Sequence, residues 1–179
     1  MPSYVAFLRA INLGATRKFP KEAIKACAES VGCTGVATHI NTGNVLLTTR
    51  LRSRAKLEQV LEEAFVADRG FEVPTIAFTL AELVDLADDI DRLAVPGSDR
   101  QYVTLLKQEP SAEAARALAA LEYDGEHGEV SGRAVHLSFT ETAYHSVKFN
   151  NATLEKLFGV ATTRDAKVIR ALAQKWGKG

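Results

Sequence analysis

The order of apolar periodicities, more than any single motif, limits what this chain can fold into. Residues 4–9 are an apolar run of strand length, and residues 20–31 place Ile24, Cys27, Ala28 and Val31 on one helical face behind a first-turn proline, with Gly32 as the stop. Residues 36–40 and 45–49 are β-branched and aliphatic runs around Asn-Thr-Gly-Asn, the pattern of a hairpin. Leu57, Val60, Leu61, Ala64 and Phe65 then mark a helix over 53–67, and residues 73–78 a strand. Written out, this is β-α-β-β-α-β, the split order of the ferredoxin-like fold.

The order then repeats. A helix over 80–90 leads into Ala-Val-Pro-Gly-Ser-Asp-Arg, the one Pro/Gly/Ser-rich linker of the chain. Beyond it lie a strand over 102–107, an alanine-rich helix over 111–121 capped by Ser111, and a second hairpin over 128–139 with Gly132 near its turn. Tyr-Val-Ala-Phe-Leu-Arg and Tyr-Val-Thr-Leu-Leu-Lys agree at Tyr4 and Tyr102, Val5 and Val103, Leu8 and Leu106, Arg9 and Lys107. The chain closes with a helix ended by Gly159, a short extended Ala-Thr-Thr-Arg and a terminal helix capped by Asp165. The expectation is an α+β protein of two tandem ferredoxin-like halves with mixed or antiparallel sheets packed together: a first half over 1–94, and a second over 100–179 that carries the C-terminal helix.

Charge and cysteine content narrow the function classes. With 22 basic and 22 acidic residues the net charge is zero, so nothing global draws the chain to nucleic acid or to anionic lipid. The charges are nonetheless grouped. Arg9, Arg17, Lys18, Lys21 and Lys25 meet only Glu22, Arg50 to Lys56 is basic, and Glu82 to Asp91 is acidic. No run is long enough to span a membrane, and no leader pattern stands at the start, so membrane partners are not expected and the cytoplasm is. Cys27 and Cys33 match neither a redox pair nor a zinc half-site, and are expected to be free thiols.

Mechanistic motifs are scarce. P-loop, Rossmann glycine fingerprint, nucleophile elbow and zinc-protease helix are all absent, and no cofactor or metal is expected. Of the histidines, His39 and His136 fall in expected strands, where a lone imidazole is more often structural than a ligand. His145 lies in a polar segment with Tyr144, Ser146 and Lys148, where acid-base chemistry has the right residue types. A second set consists of donors: Arg9 at a strand end, Asn12 and Gly14 after it, and Thr42, Gly43 and Asn44 in the hairpin turn. Such groups suit an anion, and Asn and Gly are equally what a tight turn requires, so both readings stand. A helix over 53–67 with Arg54 and Lys56 in its first turn and Glu62 and Glu63 further on opposes its macrodipole, a pattern that favours an anion at the helix start.

The segments Phe-Leu-Arg-Ala-Ile-Asn-Leu-Gly, His-Ile-Asn-Thr-Gly-Asn-Val-Leu-Leu and Val-Lys-Phe-Asn-Asn through Ala-Thr-Thr-Arg-Asp, in that order, resemble the bacterial family known as domain of unknown function 1697, over residues 4–172. On that resemblance Arg9, Asn12, Gly14, Gly43, Asn44, Lys148, Asn151, Thr163 and Arg164 stand at positions of the family pattern. Ala10 and Ala15 replace glycines, Asn41 and Thr42 replace Gln-Ser, Asn150 replaces threonine, and Asp165 and Ala166 replace Asn-Trp. The resemblance implies a two-part α+β fold and no activity. The functional expectation is a small phosphate- or carboxylate-bearing ligand held between the halves, with Arg9, Asn12, Gly14, Thr42, Gly43, Asn44, Lys148, Asn151, Thr163 and Arg164 as its binding residues. The alternatives are an assembly module whose polar loops are only turns, a nucleic-acid binder, weakened because Phe7, Phe78 and Phe139 read as core, and an enzyme using Tyr144, His145 or Lys148.

Overall fold

The structure is a computed structural model that describes residues 1–41, 43–140 and 146–178. Its elements are β1 (Ser3–Leu8), α1 (Lys21–Ser30), β2 (Thr34–His39), β3 (Asn44–Thr48), α2 (Arg54–Arg69), β4 (Thr75–Thr79) and α3 (Leu80–Arg92), then β5 (Arg100–Leu106), α4 (Ala112–Ala119), β6 (Glu126–Ser131), β7 (Ala134–Phe139), α5 (Asn151–Phe158), β8 (Ala161–Asp165) and α6 (Ala166–Trp176). The strands form two four-stranded antiparallel sheets, ordered β2-β3-β1-β4 and β6-β7-β5-β8. The fold is α+β, with the same element order in each half. Two compact units result: Met1–Leu83 with Trp176–Gly179, and Val84–Lys175, so the chain passes between them twice.

Register shows the repeat residue by residue. Tyr4 faces Leu47 and Thr79, while Tyr102 faces Leu137 and Asp165; Leu8 faces Thr75, while Leu106 faces Ala161. Val5 to Phe7 and Val103 to Leu105 therefore occupy matching places. After these strands Leu8 donates to the Gly43 carbonyl and Arg9 to that of Pro74, as Leu106 donates to Arg133 and Lys107 to Val160.

Alternation along each central strand divides its side chains between two faces. In the first unit Tyr4, Ala6 and Leu8 pack with Ile24, Cys27, Leu57, Leu61 and Phe65 of α1 and α2. In the second, Tyr102 and Leu106 pack with Leu137, Phe139, Leu118, Leu154 and Phe158. The opposite faces are also buried: Val5, Phe7, Ile76 and Phe78 in one unit, Val103, Leu105, His136 and Arg164 in the other. Phe7, Phe78 and Phe139 are core residues, as their strand positions lead one to expect, and both cysteines are buried and free. Several helix ends follow sequence signals. Ser53, Ser111 and Asn150 accept the amides of Lys56, Ala114 and Thr153, Asp165 accepts that of Lys167, and α5 stops at Gly159. No helix among the described residues is long and apolar enough to cross a membrane.

Candidate functional site

The donors nominated from the sequence divide between the units. In the first, the loop after β1 and the β2–β3 turn are tied together by Asn12. Its Nδ2 donates to the carbonyls of Phe19 (3.2 Å) and Asn41 (2.9 Å), and its Oδ1 accepts the Phe19 amide (2.9 Å). Arg17 completes the clamp: its guanidinium donates to the carbonyls of Ala10 and Glu72 and lies 4.5 Å over the Phe71 ring. Asn44 is fully buried, and its Nδ2 donates to the His39 carbonyl at 3.0 Å. Gly43 lies against the strand end, Arg9 is half-buried, and Gly14 is exposed in an open turn. Asn12, Gly43 and Asn44 thus hold the loops in shape, the work the turn reading assigns to them. Thr42 lies outside the described residues, as do Tyr144 and His145.

Charges at the start of α2 are also engaged. Arg54 donates to Glu82 Oε1 at 3.1 Å and Lys56 to Gln59 at 3.2 Å. The acids further along α2 reach β4, an edge strand: Glu62 accepts the Thr75 amide (2.8 Å), Glu58 that of Ala77 (2.8 Å), and Glu82 of α3 that of Thr79 (2.7 Å). Residues four apart on a helix are about 6 Å apart along its axis, and residues two apart on a strand about 6.8 Å, so one helix face matches alternate strand amides. Two acids of α2, Glu58 and Glu62, thus serve a sheet edge.

In the second unit two of the nominated residues, Asn151 and Thr163, line a cavity. Thr163 Oγ1 bonds Thr104 Oγ1 at 2.8 Å and Asn151 Oδ1 at 3.3 Å, while Asn151 Nδ2 donates to the Ala161 carbonyl at 3.3 Å. A cavity of about 220 Å³ opens beside them, with Asn150, Asn151 and Thr163 as its polar wall and Tyr102, Phe139 and Phe149 among its apolar ones. Residues 147–149 are held in place by Glu126, whose carboxylate accepts the amides of Lys148 (2.9 Å and 3.0 Å) and Phe149 (2.8 Å). Val147 and Phe149 turn into the cavity, and the Lys148 ammonium lies 5.2 Å over the Tyr123 ring. Asn150 satisfies the amide of Thr153, whereas those of Asn151 and Ala152 have no acceptor among the described residues. No acid of α5 itself stands in its first turn.

Arg164 lies on the other side of the same sheet. It neighbours Thr163 in sequence, and strand alternation sends it to the face of Val103, where it is 8% exposed and donates to Thr162 Oγ1 at 2.9 Å and to the Thr163 carbonyl at 3.2 Å. Burial lowers its pKa to about 10, so it keeps its charge at neutral pH. The sequence reading did not nominate Glu126, Tyr102 or Phe149. Asn150 had a usable signal, an Asn directly before an apolar-periodic run; the others are recognisable only once β5, β6 and α5 are in register. A larger hollow of about 430 Å³ in the first unit, lined by Val31, Leu51, Val60 and Ala64 with Arg50 and Glu63, holds none of the nominated residues.

The profile of the family described as protein of unknown function, DUF1697, matches residues 1–136. The chain belongs to this family. The structure is similar to that of the conserved bacterial protein SP0830 from Streptococcus pneumoniae, with a TM-score of 0.77 over 97% of each chain and 20% sequence identity, a likeness of fold. No curated protein matches the sequence. Membership in the DUF1697 family fits the fold described above and carries no activity with it.

Proposed function

We propose that this DUF1697 protein binds a small ligand bearing a phosphate or carboxylate in the cavity beside α5. The observation that carries the reading is a cavity at the start of α5 whose walls combine aromatic rings with Asn150, Asn151 and Thr163, beside a helix first turn that carries no acid of its own. Amides at a helix start favour an anion, and apolar walls with a few converging polar groups are the usual build of a ligand site. At about 220 Å³ the cavity suits a small organic acid or phosphate ester better than a dinucleotide. The free thiols Cys27 and Cys33 accord with a reducing, cytoplasmic setting. Recognition of nucleic acid on a sheet face calls for exposed aromatics, and the face residues Phe7 and Phe78 are buried.

The test is thermal denaturation of the full chain against inorganic phosphate, phosphate esters and small carboxylates, for the native sequence, Thr163→Val and Arg9→Ala. Ligand at a hundred times Kd adds about 2.7 kcal/mol. The expected result is a shift that Thr163→Val reduces and Arg9→Ala leaves intact. A shift abolished by Arg9→Ala alone moves the site to the end of β1, and no shift with any compound overturns the proposal in favour of an assembly role.

A further inference from the structure

On the second sheet, Val103, His136 and Arg164 lie side by side on the face opposite α4 and α5, His136 and Arg164 each paired with Val103 in register. The matching residues of the first sheet are Val5, Leu46 and Phe78. An imidazole thus stands where the other half of the repeat carries leucine. His136 is 6% exposed, and neither ring nitrogen has a hydrogen-bond partner among the described residues. Leaving such atoms unsatisfied costs about 1–3 kcal/mol, and native interiors rarely tolerate it.

Neighbouring side chains do not meet the need. Asp89 Oδ2 of α3 lies 3.9 Å from Nε2, beyond hydrogen-bond distance, and already accepts Ser131 Oγ at 2.6 Å, while Asp89 Oδ1 accepts Arg92 at 2.6 Å and 2.9 Å. Glu129 of β6 is the cross-strand partner of His136 and is itself half-exposed; β5 contributes Val103, and Arg164 of β8 lies beyond it. Burial lowers the His136 pKa, so at neutral pH the ring is uncharged, with one N–H to donate and one lone pair to fill.

A small cavity touches this ring. Its room for the centre of a water molecule is about 10 Å³, the space of one water, and beside the apolar Ile90 and Leu93 it is lined by Gln101 and Ser138. Ser138 is the register partner of Gln101, which puts its hydroxyl on the His136 face. The imidazole and the Ser138 hydroxyl, with the Gln101 amide that also donates to the Ile90 carbonyl at 3.4 Å and accepts from Arg170 at 3.5 Å, supply the two to four polar partners that a buried water requires.

We propose that this cavity is a site for one buried water molecule, bound by the His136 ring together with Ser138 and Gln101. Water can both donate to the ring lone pair and accept from its N–H, and in a site this small no organic ligand competes. A metal ion is disfavoured, since no three metal-ligating side chains converge among the described residues. In the first half of the repeat Leu46 takes the place of His136 and offers a water no polar side-chain atom.

Two measurements on the full chain test this. A high-resolution crystal structure is expected to show a density peak within about 3.2 Å of a His136 ring nitrogen. Water-oxygen magnetic relaxation dispersion is expected to count one long-lived water fewer in His136→Leu, a change that places at 136 what the first unit carries at 46. No peak in the crystal, or an unchanged count in a folded His136→Leu, overturns the proposal; where that variant does not fold, the crystal of the native chain decides alone.

Discussion

Gly43 occupies a position that no side chain can share. A Cβ there would come within 2.7 Å of Leu8 Cβ and 2.9 Å of Ile11 Cδ1, and its φ of +80° is left-handed. Gly43→Ala is therefore expected to cost about 2–4 kcal/mol by urea denaturation, from overpacking and backbone strain together. Ala10 presents the reverse case: its φ of 57° is a conformation glycine adopts without strain, and the family resemblance puts glycine there. Ala10→Gly should raise stability by up to about 1 kcal/mol in the same assay, the relief of strain exceeding the added unfolded-state freedom. His136 is expected to make stability depend on pH. Its folded pKa is depressed below the ordinary 6.5 by burial, so its contribution is whole above pH 6.5 and is lost as pH falls through the folded value. Denaturation from about pH 8 to pH 5 should therefore show a decline that His136→Leu lacks. The sequence already marked Asn12 and Gly43 as turn residues; that Asn12 bonds Phe19 and Asn41 follows from loop closure, which residue type does not encode.

At the scale of elements the sheet edges explain charges that had no local reason. β4 is bordered by three carboxylates that take its outward amides, and β6 carries Glu126, His127 and Glu129. β2 shifts register between Thr34 and Ala37, an irregularity that disfavours pairing with another strand. Glu58 is the buried member of the β4 set. Glu58→Ala leaves the Ala77 amide without this acceptor and is expected to cost about 2–3 kcal/mol, with Glu58→Gln, which keeps an acceptor, losing less; urea denaturation measures both, and sedimentation shows whether the uncovered edge self-associates. From the sequence alone the same charges on α2 read as an anion site, because the helix pattern is local while the strand amides it serves are brought up by the fold. Helix starts were more legible: Ser111 and Asp165, both read as caps, accept amides three and two residues on, within reach of a local reading.

Across the whole molecule one fold order is used twice, and the chain from Trp176 on returns to the first unit. Trp176, at the end of α6, is buried in the first unit with its ring 6.1 Å edge-to-face from His39, although the residues before it belong to the second. Trp176→Ala is expected to destabilise the first unit by about 3–5 kcal/mol, seen as faster hydrogen exchange across β1 to β4. The matching of Tyr4 with Tyr102 and Leu8 with Leu106 was legible because strand and helix periods are properties of short stretches, and it carried the element order with it. By itself, then, the amino-acid sequence determined the α+β class, the repeated element order, the family and the helix caps, all of which depend on residues near one another in the chain. Tertiary structure alone decided that Thr163 lines a cavity while Arg164 is buried on the opposite face, that Glu58 and Glu62 serve a strand edge, and that His136 sits where its repeat partner is leucine. Those outcomes depend on strand register and on groups far apart in sequence, which no local pattern specifies.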